Sequence, residues 1–429
     1  MIEEFIKKCK ENPTKNAFIV GRKKITYSRL LNDLYKMVNL FKSKNLKRGQ
    51  SVLLFVPPSY HFYLLLFACI YYGINIVVPD SFKNNKRIAD IIENHNIEYV
   101  FCNNLTSLLR FKFKKGMKYC NLSSYLKYSA DYSTPNSDEN LTVLTTFTSG
   151  TTGEPKPIYR NYAFFNQQIN SISKNIDFES CNCVFASLPI YTLFVVYSGR
   201  TCVLSSKINE KYFSKLNIDT VIAPINAVLK AKGNFSCVKK VFLGGARIYK
   251  REATYIKNIF PLANISYIYG ASECALMAIT NLDYYLKNGC TLQKIADGIE
   301  LSLIEKDEFS VGKIAVLGNS VISNDGKYVS NDLGLLTEKG LKIVGRAKYS
   351  HAGLYNYILD DEILSLNEKV KRGFSLVYNK KIYFCYEGRL TKKESGIIYV
   401  KFLKLPMDAK HKTKLDYSRV LKKLLLRKN

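Results

Sequence analysis

The sequence predicts an α/β protein whose large parallel sheets are followed by a smaller antiparallel region and a compact tail. Apolar strands alternate with helices over roughly the first 300 residues, the pattern of parallel sheets covered on both faces. From about residue 300, short strands alternate with turns instead. The chain has 429 residues, of which 47% are hydrophobic and 23% charged. That length and composition suit a globular protein of two or three domains.

The first clear unit is residues 51–79, a strand, a Pro-Pro turn, an apolar helix and a second strand. Its uncharged stretch, residues 62–78, also resembles a membrane span. However, it has only 17 residues, Gly73 interrupts it, and it follows Pro57 and Pro58. A buried helix followed by a buried strand is favoured, so no membrane span is expected.

The same alternation continues along the chain in the strands NIEYVFC, NIDTVIAP, KKVFLGGARI and ISYIYGASE. A polar linker, STPNSDEN, occupies residues 133–140. The segments IELSLIEKDEFSVGKIAVLGNS and YVSNDLGLLTEKGLKIVGR then predict a small antiparallel barrel. After Arg346, three strands (FSLVYN, KIYFCYE and GIIYVKFL) and a last basic helix predict a compact tail.

The chain is strongly basic, with 64 Lys and Arg against 35 Asp and Glu and a net charge of +29. Such a charge suits an anionic partner: nucleic acid, a membrane surface, a nucleotide or an acidic carrier protein. It also follows from a coding sequence rich in A and T, because Lys, Asn, Ile and Tyr are abundant together. The lysines are scattered and form no basic arm, which favours the second interpretation. No nucleic-acid partner is expected.

The cysteines and histidines predict neither a zinc site nor a disulfide framework. There are eleven cysteines with no CxxC pair, and four histidines. The N-terminal segment MIEEFIKKCKENPTKN has no apolar signal-peptide core. A reducing, cytoplasmic location is therefore expected.

A loop within TTFTSGTTGEPKPIY, residues 145–159, concentrates small hydrogen-bonding residues and ends in Pro-Lys. Backbone N–H groups of a Gly-rich turn, supplemented by hydroxyls, form a concave anion site, and Lys156 adds a point charge. A polyphosphate is the natural ligand, although the Walker A pattern is absent. The alternative is a flexible hairpin, which does not explain the terminal Pro-Lys. The candidate phosphate ligands are Thr148, Ser149, Gly150, Thr151, Thr152, Gly153 and Lys156.

The segment TSGTTGEPK resembles the phosphate loop of the adenylate-forming (AMP-binding) enzyme superfamily, which comprises acyl- and aryl-CoA ligases, peptide-synthetase adenylation domains and luciferases. Companion motifs occur in the expected order: LGGARI (243–248), YGASE (269–273), SNDLG (330–334), GRAK (345–348) and LPMDAKHKTKLD (405–416). The resemblance implies a large N-terminal AMP-binding domain of α/β sheets with a small β-barrel, residues 1–345. A small mobile α+β C-terminal lid domain, residues 346–429, is implied to follow.

The resemblance also implies roles for individual residues. Gly244, Gly245 and Ala246 would line the adenine, together with Tyr269, Gly270 and Ser272, which replaces the usual Thr. Glu273 would hold Mg²⁺ beside the phosphates of ATP, since carboxylate oxygens suit that cation.

Three further residues complete the implied nucleotide site. Asp332 would bind the ribose hydroxyls, Arg346 would reach ribose or phosphate, and Lys348 would be the hinge between two domain orientations. Taken singly, each also has an ordinary structural interpretation, such as a turn aspartate or an exposed lysine.

The closing segment is implied to carry a catalytic lysine. Lys414, followed by Leu415 and Asp416, fits the family pattern best, although the usual preceding Gly is missing. Lys412 fits a strict count from Pro406 and stays open as the alternative. Either lysine would stabilise the negative charge that redistributes at the α-phosphate.

Together with the turn 243–247, which contains Arg247, the region 188–199 is implied to line the acyl pocket, with Tyr191, Thr192 and Phe194 as candidates. It is apolar and aromatic and has no Asp or Glu to pair with a substrate ammonium. A fatty or aromatic acid is therefore expected rather than an amino acid.

The implied reaction is activation of that acid by ATP, with release of pyrophosphate and transfer to a thiol. The acceptor would be CoA or the phosphopantetheine of an acyl carrier protein.

Several positions depart from the family pattern. Asn331 replaces a Gly, Thr192 stands where many members have His, and the loop YSHAGLYNYILDDEI after the hinge is short. Three interpretations stay open: an acyl- or aryl-CoA ligase, a stand-alone enzyme that loads a carrier protein, and a non-catalytic nucleotide-binding protein.

Overall fold

The computed structural model describes residues 2–82, 84–107, 116–147, 156–178, 180–323, 326–379, 381–406 and 417–426. The chain forms two compact units. The first comprises residues 1–206 and 216–222, and the second comprises residues 207–215 and 223–429. The predicted domains, 1–345 and 346–429, follow a different boundary, and the mobility of the second stays a prediction.

The elements up to residue 204 are α1 Ile2–Glu11, β1 Asn16–Val20, β2 Lys23–Thr26, α2 Tyr27–Ser43, β3 Ser51–Phe55, α3 Tyr60–Tyr72, β4 Asn75–Val77, α4 Asn85–Asn94, β5 Tyr99–Cys102, α5 Asn104–Ser107, β6 Lys118–Asn121, β7 Thr142–Phe147, β8 Pro157–Asn161, α6 Tyr162–Asn175, β9 Cys183–Ala186, α7 Pro189–Tyr197 and β10 Thr201–Leu204.

The elements that follow are α8 Glu210–Leu216, β11 Thr220–Pro224, α9 Ile225–Val228, β12 Lys240–Gly244, α10 Lys250–Ile259, β13 Asn264–Tyr269, β14 Ala278–Asn281, α11 Leu282–Lys287, β15 Thr291–Leu292, β16 Lys294–Ile295, β17 Glu300–Ile304, β18 Gly312–Leu317, β19 Lys327–Thr337, β20 Gly340–Arg346, α12 Asn356–Leu366, β21 Val370–Tyr378, β22 Lys381–Gly388, β23 Ile397–Lys401 and α13 Tyr417–Leu426.

The first unit contains a six-stranded sheet in the order β6-β5-β3-β4-β7-β8. Its strands run parallel except at the β7–β8 edge. Strands β3, β4 and β5 are almost entirely buried, as expected when helices cover both faces. Helix α3 is apolar all round and buried along most of its length, so the predicted helix and strand at 62–78 are confirmed.

A second group of strands in the first unit follows the order β11-β9-β10-β1-β2 and is parallel except for β1–β2. In the second unit, β12 pairs with β13 in parallel, and β14 and β16 extend that sheet antiparallel. Parallel pairing leaves the carboxyl ends of β12 and β13 at one sheet edge. Ligand sites of α/β proteins are usually found at such edges.

A five-stranded antiparallel sheet, β15-β20-β19-β18-β17, stands where the small barrel was predicted. The tail forms a separate three-stranded sheet, β21-β22-β23. This sheet has its own apolar core around Phe374, Tyr383 and Leu405. The predicted α/β class is confirmed, with large sheets and a separate small sheet domain. Among the described residues, no helix is long and apolar enough to cross a membrane.

Candidate nucleotide site

The turn after β12 carries the predicted adenine-lining residues. Gly244 is buried at the end of the strand, and Gly245 has a φ of +80°, a conformation that favours glycine. A Cβ on Gly244 would lie 3.1 Å from the carbonyl oxygen of Ile268 on β13. The two glycines therefore let this turn lie close against the neighbouring strand, with Ala246 half-buried behind them.

The turn after β13 carries Tyr269, Gly270, Ser272 and Glu273. A Cβ on Gly270 would overlap the carbonyl of Ala275, so this position requires glycine. The Ala271 N–H donates to the Cys274 carbonyl at 2.8 Å, which closes the turn. The Glu273 carbonyl accepts from the Ile322 N–H at 2.9 Å, so the turn is attached to the segment before β19. Ser272 is exposed and Glu273 half-buried.

Asp332 and Arg346 lie directly opposite each other on β19 and β20. The Arg346 Nε lies 2.9 Å from the Asp332 Oδ1, and the Tyr269 hydroxyl donates to the Asp332 Oδ2 at 3.0 Å. The structure thus brings three predicted nucleotide residues from three strands into direct contact. The Asp332 side chain is 17% exposed and that of Arg346 31%, whereas the Asp332 Oδ1 itself is buried.

The electrostatics of this cluster keep its phenols protonated. Burial and the Asp332 carboxylate raise the pKa of Tyr269 well above its usual value, so its hydroxyl stays a donor at neutral pH. Burial also raises the pKa of Tyr328, and the charges of Glu273 and Asp332 raise it further. Both carboxylates therefore act on the same phenol and share one electrostatic environment.

Glu273 offers oxygen ligands of the kind that Mg²⁺ prefers. Magnesium typically uses one or two carboxylates and completes its octahedron with substrate phosphates and water. Within the part of the chain that the structure describes, no group of three or more His, Cys, Asp or Glu side chains could hold a metal ion. A single carboxylate such as that of Glu273 fits the binding mode in which phosphate oxygens and water supply the remaining magnesium ligands.

Several predicted residues lie outside the described ranges: Thr148, Ser149, Gly150, Thr151, Thr152 and Gly153 of the phosphate loop, and both candidate lysines, Lys412 and Lys414. Lys156 is described and exposed, immediately before β8. Lys348 is exposed in a short turn of 3₁₀ helix after β20, with its ammonium 5.9 Å from the Tyr349 ring centroid.

The acyl-pocket candidates lie on α7 in the first unit. Tyr191, Thr192 and Phe194 are all buried, and the two aromatic rings pack edge to face at 6.4 Å. The Thr192 hydroxyl contacts the carbonyls of Ala186 and Leu188 at 3.3 and 3.2 Å. It is therefore satisfied within the fold, and its role toward substrate stays a prediction.

Sequence reasoning did not assign Tyr328, Tyr357 and Asp361, and it placed Arg247 only in the turn 243–247 of the expected acyl pocket. Arg247 directly follows the Gly-Gly-Ala turn, and its guanidinium forms an ion pair with Asp361 at 2.6 Å. The available signal was an arginine after a nucleotide-type turn together with the acidic pair Asp360–Asp361 in a later helix. No local pattern indicates that these distant segments meet.

Small-residue turns after parallel strands, beside a cluster of Tyr269, Asp332 and Arg346, are typical of nucleotide-binding α/β proteins. The chain belongs to the AMP-binding enzyme family, whose model matches residues 5–324.

One curated relative is the putative long chain fatty acid-CoA ligase VraA of Staphylococcus haemolyticus. The two are 24% identical over 318 residues, which cover 71% of this chain and 62% of the relative. The chain thus matches less than two thirds of that relative's length.

Solved structures share the fold. The o-succinylbenzoate CoA synthetase MenE of Bacillus subtilis, in complex with the acyl-adenylate intermediate OSB-AMP, has a TM-score of 0.83 at 14% identity, with 97% of each chain covered. ATP-bound MatB of Rhodopseudomonas palustris also has a TM-score of 0.83 at 14% identity, with 98% of each chain covered.

Proposed function

We propose that this protein activates a fatty or aromatic carboxylic acid with ATP and transfers the acyl group to a thiol, with CoA as acceptor. The observation that carries the proposal is the contact of Asp332 with both Tyr269 and Arg346, in one electrostatic environment with Glu273. A carboxylate flanked by donors suits a ribose, because it accepts two hydroxyl hydrogen bonds.

The chemistry proceeds in two balanced steps. A carboxylate oxygen of the acid forms a bond to the α-phosphorus of ATP, and the bond to the bridging oxygen breaks, so pyrophosphate leaves. The thiol sulfur then bonds to the acyl carbon and AMP leaves, while the thiol proton passes to solvent. The first step turns a poor electrophile into a reactive mixed anhydride.

Each residue has a proposed part in these steps. Asp332 and Arg346 orient the ribose, and Tyr269 with the 244–246 turn flanks the adenine. Thr148 to Gly153 and Lys156 bind the outer phosphates, and Lys414, or alternatively Lys412, stabilises charge at the α-phosphate. Glu273 binds Mg²⁺, which screens the phosphate charge when present. The 346–429 tail turns about Lys348 between the two steps.

Two observations support the substrate class. The relative named above carries the name of a putative long chain fatty acid-CoA ligase. Helix α7 is wholly apolar apart from Thr192 and the tyrosine hydroxyls, so an apolar acyl group is favoured over one with an ammonium. The eleven cysteines, an odd number with no CxxC pair, support a reducing, cytoplasmic location.

A carrier-protein phosphopantetheine is the second candidate acceptor. The net charge of +29 suits an acidic carrier domain, and it suits the phosphates of CoA equally well. A non-catalytic nucleotide-binding protein is the remaining alternative, motivated by the altered residues such as Asn331.

ATP–pyrophosphate exchange with a panel of carboxylic acids tests the proposal. We expect exchange with one or more fatty or aromatic acids and none with amino acids. A product assay with CoA and with an acidic carrier protein then identifies the acceptor. Exchange with no acid of a broad panel would overturn catalysis.

The closing lysine gives a sharper test. Lys414→Ala should lower exchange by about 100-fold, while thioester formation from supplied acyl-adenylate is retained, because the lysine acts on the phosphate step. Lys412→Ala is the matched control in the same segment. The reverse result would move the role to Lys412.

A further inference from the structure

Tail helix α12 contacts the Arg346 side chain through Tyr357 and the Arg346 backbone through Asn356. The Arg346 Nε donates to the Tyr357 hydroxyl at 3.2 Å, and the same nitrogen lies 2.9 Å from the Asp332 Oδ1. The Arg346 backbone N–H donates to the Asn356 Oδ1 at 2.8 Å. The orientation of Arg346 is therefore set from one side by Asp332 and from the other by the start of α12.

Tyr357 is itself held in place by a second arginine. Its ring is buried, and the Arg247 guanidinium lies 4.9 Å from the ring centroid, within the range of a cation–π contact. The Arg247 Nη1 donates at 2.6 Å to the carbonyl of Ile343, which lies three residues before Arg346 on β20. The phenol ring thus has little freedom to turn away from Arg346.

The same arginine fixes the next turn of α12. The Arg247 Nη2 lies 2.6 Å from the Asp361 Oδ2, and the two side chains are only 8% and 10% exposed. The Asp361 Oδ1 accepts from the Lys250 N–H at 3.0 Å. Tyr357 and Asp361 are four residues apart and so share one face of the helix. Arg346 and the neighbouring Arg247 therefore both contact one face of the tail helix.

We propose that Tyr357 is a positioning residue that holds Arg346 for the ribose, and so couples nucleotide binding to the placement of α12. The inference rests on the proposed function for the identity of the ligand. The proposed role of Tyr357 differs from a purely structural one, because Tyr357 affects nucleotide binding through Arg346.

Tyr357→Phe tests the proposal, since it removes only the hydroxyl and keeps the ring. Tyr355→Phe is the matched control, because Tyr355 lies two residues away and its hydroxyl donates to Asp307 at 2.6 Å instead. We expect Tyr357→Phe to weaken AMP binding about tenfold, the usual effect of losing a hydrogen bond to a charged group.

The KM for ATP in exchange should rise by the same factor with kcat little changed, because the lost interaction acts on binding. Tyr355→Phe should leave both values at the wild-type level. Equal AMP affinity and KM in wild type and Tyr357→Phe would overturn the inference.

A double-mutant cycle with Arg346→Lys tests whether Tyr357 affects AMP binding through Arg346. Because Tyr357 acts through Arg346, the double variant should bind AMP as weakly as Arg346→Lys alone, within about twofold. Additive losses would show that Tyr357 acts independently and would overturn the inference.

Hydrogen exchange of the nucleotide-free protein separates this inference from the proposed function. Amides of residues 356–366 should exchange faster in Tyr357→Phe than in wild type and Tyr355→Phe. If the wild type binds no AMP, the proposed function fails. In that case, faster exchange in Tyr357→Phe than in wild type would still support the proposal that Tyr357 positions Arg346. Equal exchange in the two proteins would overturn it.

Discussion

Asp33 in the first unit and Asp332 in the second are bound by the same side-chain types. The Asp33 Oδ2 accepts from the hydroxyls of Tyr60 and Tyr125 at 2.7 and 3.1 Å, and Arg29 lies 3.6 Å away. Asp332 is bound by one tyrosine and one arginine.

The two sites differ in exposure and in position. The Asp33 side chain is 4% exposed and lies in the middle of α2. Asp332 is 17% exposed and lies on a strand beside the turn that carries Glu273. The residue types around an aspartate therefore do not by themselves identify a ligand site. A Tyr–Asp–Arg cluster whose carboxylate is buried stabilises the fold, whereas one whose carboxylate side chain is partly exposed can exchange a protein donor for a ligand hydroxyl.

Asp33→Ala should cause the largest loss of stability. It leaves two buried tyrosine hydroxyls without their acceptor, and each such loss costs about 1–3 kcal/mol, so the free energy of unfolding should fall by about 4 kcal/mol. Urea unfolding measures the change, and the KM for ATP should stay unchanged. Glu93→Ala, an exposed carboxylate on α4, is the control. Stability equal to that of the control would contradict a structural role for Asp33.

Asp332→Ala should instead impair the kinetics with ATP strongly and stability only slightly. Under the proposed function Asp332 accepts from two ribose hydroxyls, so its loss should lower kcat/KM for ATP by about 100-fold, while the free energy of unfolding should fall by only about 2 kcal/mol, because one buried tyrosine hydroxyl loses its acceptor. ATP–pyrophosphate exchange and urea unfolding are measured together. Glu338→Ala, in the exposed turn after β19, should be neutral in both. A large loss of stability with unchanged kinetics would erase the distinction between the two aspartates.

Asp360 provides a third, smaller test, through pH. It is buried, the Tyr249 hydroxyl donates to its Oδ2 at 2.9 Å, and the Ser375 N–H donates to its Oδ1. Burial raises the pKa of Asp360 to about 7 from its usual 3.8. The folded protein therefore keeps this proton to a higher pH than the unfolded chain. The stability that Asp360 contributes is complete below about pH 4 and is lost as the pH rises through about 7.

Asp360→Asn mimics the neutral carboxyl, because its amide group can donate to Tyr249 while its oxygen accepts from Ser375. Urea unfolding from about pH 5 to about pH 8 should therefore show a shallower decline than in wild type. Burial also raises the pKa of Glu252 to about 7, which adds a decline of the same sign in both proteins. Parallel pH profiles would show that Asp360 is ionised in the folded protein throughout this range.

The sequence predicted the parts of the molecule that local patterns determine. Buried strands such as β3 and β5 are continuous apolar runs, and the turns at Gly244–Gly245 and Gly270 carry their small residues in the sequence itself. The grouping of Tyr269, Asp332 and Arg346 followed from motifs in a known order. The pairing of Arg247 with Asp361, 114 positions later, depends on how α12 packs and leaves no periodic signal. The phosphate loop and the closing lysine stay predictions.

The hairpin of β19 and β20 has a consequence for how this site tolerates insertions and deletions. Asp332 faces Arg346 because the tip at Thr337–Gly340 joins the strands and a register shift between Leu333 and Gly334 then offsets the pairing by one residue. Side chains alternate between the two faces of a strand, so sliding one strand by a single residue would direct Asp332 away from its partner. The tip is exposed, yet its length, together with the register shift, determines whether Asp332 and Arg346 pair.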